Sequence, residues 1–233
     1  MSTLIVYPDA GSGAMTVDGY VERGTNGTWA QLRDGTGDTA NKTDTSNRLG
    51  LNAFGSGNTW TTLRRLIWTF DTSPLTIDAT VSAATLSLFG CTKFDSLGAT
   101  PSVNIYSASP ASNNNLVAGD FVNTGTTEYS TTITYASWVT GQNDFALNAT
   151  GLAALSLSGI SRFSSRTANV DVANVEPTWS ASNSYTMNSA SADTAGTTSD
   201  PTLTITYTLP SAPVSARPNV YTDFPKFILR RAV

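Results

Sequence analysis

The chain has 233 residues, enough for one large all-β domain that needs no disulfides, and its single cysteine, Cys91, has no partner for an internal bridge. Charged residues make up 13% of the sequence, about half the usual share, and serine, threonine, asparagine, glycine and alanine fill the gap. Histidine is absent, which removes the commonest general base, the commonest metal ligand and the Ser-His pairing of most nucleophilic hydrolases.

Charge is unevenly placed. Residues 1–208 carry nine Lys/Arg against sixteen Asp/Glu, whereas residues 209–233 carry four against one. An acidic body argues against nucleic acid as a partner, and a basic end suits an acidic protein surface. The N-terminal MSTLIVYPDAGSG has no basic start, long apolar run or cleavage site, so no secretory signal is expected. No apolar run approaches the roughly 18 residues of a membrane helix, so no membrane partner is expected either.

In chain order, alternation of apolar and polar residues predicts strands at 3–7, 17–22, 28–33, 63–71, 84–90, 102–107, 144–148, 157–164 and 202–208. In RRLIWTFD, residues 64–71, one face carries Leu66, Trp68 and Phe70, while the other is mixed. TLTITYT repeats Leu203, Ile205 and Tyr207 with a period of two, and ATLSLFG does so with Ala84, Leu86 and Leu88. Threonine and serine take the opposite face, as suits a wet sheet surface. Turn-forming runs such as RDGTGD and FGSGNT separate these segments. The one helical candidate is 149–155, and the polar stretches 34–48 and 108–132 are expected to be long loops with short edge strands at most. This pattern predicts an antiparallel β-sandwich of jelly-roll type. Its expected parts are an N-terminal strand and loop region over 1–44 packing on it, the sandwich at 45–208, and a tail at 209–233.

The segment RRLIWTFDTSPLTIDATVSAATLSLF resembles the signature of the DNRLRE domain family. Arg65, Leu66, Phe70 and Asp71 match its first strand, and Ala79, Thr80, Val81, Ala84, Thr85, Leu86 and Leu88 match its second; DPTLTITYT resembles its last. The resemblance spans about residues 45–208 and implies a β-sandwich like that of carbohydrate-binding modules. Such domains occur on bacterial surface proteins, polysaccharide-degrading enzymes and phage virion proteins, and no catalytic motif is implied. The turn after the first strand is expected to have Asp71 accepting backbone N–H groups.

Three kinds of site are candidates. Sugar rings stack on exposed aromatics, and Trp60, Trp138 and Trp179 lie in or beside predicted loops; the competing expectation is that they close the ends of the sandwich. Asp34 and Asp38 with Asp44 offer oxygens of the type calcium takes, without the ordered spacing of a helix-loop-helix site; turn-forming aspartates explain them equally well. A glycosidase needs only two carboxylates, and Asp120, Glu128, Asp144, Asp171 and Glu176 are available, but no spacing follows from the sequence.

From Leu209 the texture changes. Prolines at 210, 213, 218 and 225 keep the chain extended, and Tyr221, Phe224, Phe227, Ile228, Leu229, Arg230 and Arg231 combine the residue types enriched at interface centres. The expectation is a non-enzymatic structural protein on the exterior of a phage virion, made in the host cytoplasm. It would be a capsid decoration, cement or head-fibre-like protein, without a required cofactor. Its expected partners are the major capsid or another virion protein and further copies of itself, for instance in a trimer. The alternative is a carbohydrate-binding or host-recognition module with a cell-surface glycan as partner.

Overall fold

The computed structural model describes residues 1–11 and 15–210, so the proposed docking residues of the tail lie outside the described part. Twelve strands form among the described residues: β1 (Ser2–Val6), β2 (Asp18–Gly27), β3 (Thr39–Asn41), β4 (Ser46–Ala53), β5 (Trp60–Asp71), β6 (Thr80–Asp95), β7 (Val103–Ala108), β8 (Thr124–Glu128), β9 (Gly141–Ala146), β10 (Ile160–Thr167), β11 (Asn183–Ala190) and β12 (Thr202–Thr208). Two short helices, α1 (Trp29–Asp34) and α2 (Ala149–Ala153), complete the elements that matter below. Every pairing between these strands is antiparallel. The all-β sandwich expected from the sequence is the observed class.

The two longest strands organise the sandwich. β5 pairs with β2 along one edge, and with β4 and then β10 along the other. β6 likewise pairs with β9 on one edge, and with β12 and then β11 on the other. Because β4 and β11 pair with each other, the two halves run continuously into one another at that end. Gly90 sits where β6 changes partner, and a Cβ there would stand 2.2 Å from the Val139 carbonyl oxygen. Only glycine fits such a close backbone approach.

Two hydrophobic cores follow from this layout. The inner one lies between the halves: Leu66, Trp68 and Phe70 of β5 meet Ala84, Leu86 and Leu88 of β6 and Leu203 and Ile205 of β12. Asp71 ends its strand by accepting the Ser73 N–H at 3.0 Å, as expected for the turn. The outer core lies on the other side of β5, where Leu63 and Ile67 pack with Val21, Trp29, Leu32 and Phe121. The mixed face of RRLIWTFD is therefore buried too. The same holds for β10, whose Ser161, Ser164 and Ser165 are buried rather than wet; Ser164 and Ser165 donate to the Ser107 and Asn104 carbonyls at 2.7 and 3.0 Å.

The segment 28–33, which alternation predicts as a strand, instead forms helix α1 (Trp29–Asp34) with Thr28 as its N-cap. Thr28 and Gln31 form a capping box: Thr28 Oγ1 accepts the Gln31 N–H, and Gln31 Oε1 accepts the Thr28 N–H at 2.9 Å. Trp29 and Leu32, three apart on one face, then reach the outer core. Alternation over so short a run fits either period, and the cap decides it. The stretch 34–48 holds β3 and the start of β4, and 108–132 holds the helical turn Ala118–Phe121 and β8. Strands β4 and β11 were not expected at all. The segment 1–44 is built into the sheets rather than laid on them, since β1 extends β12 and β2 lies along β5.

Thr28→Ala should lower stability by about 1 kcal/mol, the usual cost of a lost N-cap, as read by urea unfolding. Were 28–33 a strand, the same change would be close to neutral.

Candidate functional site

The most concentrated polar chemistry in the described residues surrounds Asp171. Arg65 projects from β5 into the outer core, where its charge needs a partner. The π-helical turn Ala168–Val172 supplies it: Asp171 accepts both Arg65 Nε and Nη2 at 2.8 Å, and both Arg166 Nε and Nη2 at 2.8 and 2.7 Å. Two guanidinium forks thus grip one carboxylate that is 1% exposed. Arg33 of α1 donates to the Asp171 carbonyl at 2.6 Å, and Arg65 stacks on the Phe121 ring at 3.9 Å. The remaining donors reach the Phe121, Arg33 and Thr124 carbonyls. Burial alone would raise the Asp171 pKa, but Arg65 and Arg166 outweigh it and hold the carboxyl below its ordinary value of 3.8. Both oxygens are saturated, so the cluster ties α1, β5, β8 and β10 together and leaves no acid poised for proton transfer.

Of the other candidate acids, Asp120, Asp144 and Glu176 are also engaged, while Glu128 is exposed. Asp120 accepts the Ala111 and Val117 N–H groups at 2.8 and 2.9 Å. Asp144 accepts Ser87 Oγ at 2.6 Å, and Glu176 accepts the Trp60 indole at 2.7 Å. Glu128 lies on β8, in register with Tyr106.

The proposed sugar platform does not form. Trp60 is fully buried in the outer core, edge-on to Trp29 at 5.9 Å between ring centres. Trp138 is buried in the inner core beside Phe145, so the two indoles belong to different cores. Trp179 is half-buried, packed against the outer core with its indole donating to the Thr59 carbonyl at 2.9 Å. Closing the sandwich removes more apolar surface from water than a platform would, and the alternation pattern of loops cannot show that difference. The calcium loop fails as well, because its carboxylates face different partners: Asp34 pairs with Arg33, Asp38 with Arg23 at 3.0 Å, and Asp44 accepts Tyr20 Oη at 3.2 Å. Among the described residues no three acidic or cysteine side chains gather at metal-ligand distance.

What remains open is an edge. Among the described residues, strand β1 pairs with β12 alone, and its Ile5 and Val6 help line a groove of about 540 Å³ together with Tyr7, Pro8, Met15 and Pro74 among others. Ile5 is 52% exposed and Met15 62%, large fractions for such side chains. A free strand edge beside apolar side chains is the physical form of a strand-addition site. Alternation over 3–7 predicts the strand but not its place at the border, which depends on pairing with β12 some two hundred positions away.

No family model and no curated protein matches the chain. No helix among the described residues is long and apolar enough to cross a membrane.

Asp171→Asn should cost about 3–5 kcal/mol in urea unfolding at neutral pH, since it leaves two buried guanidiniums without their counter-charge. Because the folded-state pKa of Asp171 is lowered, its contribution is present above the ordinary carboxylate value and is lost as pH falls through the folded value. Unfolding curves from pH 6 down to about pH 2 should therefore drop more steeply for the native chain than for the variant.

Proposed function

We propose that this chain is a structural component of an assembled particle, a phage or phage-like virion, on whose exterior it serves as a decoration, cement or head-fibre-like protein. The observation that carries the reading is the open β1 edge with its apolar groove, a surface suited to holding another chain by backbone pairing and side-chain burial. The resemblance to the DNRLRE signature, the acids engaged in structural bonds and the absence of histidine support it. So does the composition of residues 209–233, which in this reading form a docking arm: Tyr221, Phe224, Phe227, Ile228 and Leu229 supply apolar anchors, and Arg230 and Arg231 meet acidic groups on a neighbour. Many weak contacts then add through multiplicity.

The purified full chain should sediment as an oligomer. Ile5→Lys, which places a charge on the open edge, should shift it towards monomer without lowering its melting temperature. Deleting residues 210–233 should leave the melting temperature unchanged and abolish incorporation into particles. A chain that stays monomeric at high micromolar concentration and cleaves a polysaccharide would overturn the reading, and specific retention on a glycan array by the monomer would favour the adhesion alternative instead.

A further inference from the structure

A second buried acid has surroundings opposite to those of Asp171. Asp18, the first residue of β2, is 1% exposed; its Oδ2 accepts Asn47 Nδ2 at 2.6 Å and the Ala192 N–H at 3.3 Å, while Oδ1 has no partner among the described residues. Asp193 and Asp200, from the segment between β11 and β12, stand near enough to raise its proton affinity, and each of them likewise has one buried oxygen without a partner. None of the three takes part in an ion pair among the described residues. Ser189 adds a fully buried hydroxyl without a partner. It lies directly across from Asn47 in the β4–β11 register, so its side chain points to the face from which Asn47 reaches Asp18. Burial pushes the Asp18 pKa up to about 7, and it raises Asp193 and Asp200 too, with Asp44 adding to the rise of Asp193 and Asp193 to that of Asp200. Three carboxylates with free oxygens and no arginine or lysine beside them form an incomplete arrangement.

We infer that Asp18, Asp193 and Asp200, with neutral oxygens such as Ser189 Oγ, form a binding site for a hard divalent cation of calcium's type. All the available ligands are oxygens, which calcium takes in flexible numbers and geometry. A hollow of about 440 Å³, lined by Tyr7, Asp9, Asp193, Thr197 and Asp200 among others, opens beside two of the three carboxylates. The carboxylates are not yet gathered to ligand distance, so binding draws the half-buried Asp193 and its loop towards the fixed Asp18. The cation would then clasp the start of β2 to the loop leading into β12. Because Tyr7, Pro8 and Asp9 line both this hollow and the β1 groove, it would also stiffen the proposed docking edge. The site is distinct from Asp34, Asp38 and Asp44, whose carboxylates already have partners.

Chelator-treated full chain titrated with calcium chloride in a calorimeter should bind one equivalent. A calcium concentration about a hundredfold above the dissociation constant should raise the melting temperature by roughly 5–10 °C. Asp18→Asn should melt in chelator no lower than the native chain, because it removes an unsatisfied charge, and should lose the response to calcium. Should Asp18→Asn fail to fold, Asp193→Asn, changed at a half-buried loop position, should weaken calcium binding at least tenfold. Absence of both heat and melting shift at millimolar calcium overturns the site. So does calcium binding of unchanged affinity in Asp18→Asn or Asp193→Asn, which would place the ion elsewhere.

Discussion

Everything on the outer side of β5 depends on neutralising Arg65. A guanidinium on a central strand, covered by a helix and two loops, would be prohibitive alone. Asp171 makes it tolerable, and in doing so recruits Arg166 from the adjacent strand β10 and Arg33 from α1. The forks fix angles as well as distances, so the π-helical turn and the turn before β8 have one way to sit on the sheet. Buried ion clusters are poor sources of net stability compared with apolar packing. Here the cluster's evident effect is to set how the covering segments dock, while the apolar residues around it, Leu63, Ile67 and Phe121, supply the hydrophobic driving force.

Asp171 and Asp18 show how surroundings rather than residue type set a carboxylate's behaviour. Both are almost fully buried. The first has two bidentate arginines and is held ionised; the second has an amide, a backbone N–H and two further acids, and burial drives it towards the protonated form. Among the described residues, the arginines in ion pairs are committed to acids other than Asp18, Asp193 and Asp200.

The two open features of the molecule adjoin each other. The border strand β1 and the acid-lined hollow share the turn at residues 7–9, where Asp9 accepts the Met15 and Thr16 N–H groups, both at 2.9 Å. A surface that binds by strand addition benefits from a rigid edge, because less conformational freedom is lost on association.

The sequence by itself determined the fold class and most of the inner core. Period-two alternation in TLTITYT, ATLSLFG and RRLIWTFD survives in any context because a pleated strand always sends neighbours to opposite faces. It also carried the Asp71 turn, since that bond is local. Strands β4 and β11 do alternate, with Leu49, Leu51 and Ala53 and with Tyr185 and Met187 buried at every second position, but Gly50 and the asparagines and serines between them carry the composition of turns. The helix at 29–34 was legible in its capping box, although alternation suggested otherwise. Tertiary structure alone decided that β5 would be covered on both faces, that Trp60 and Trp138 would enter separate cores, and that Asp171 would meet Arg65 across 106 positions while Asp18 would meet Asn47 and no cation among the described residues. The physical reason is that electrostatic and packing partners are set by distance in space, and local pattern constrains only the direction in which a side chain leaves its own strand.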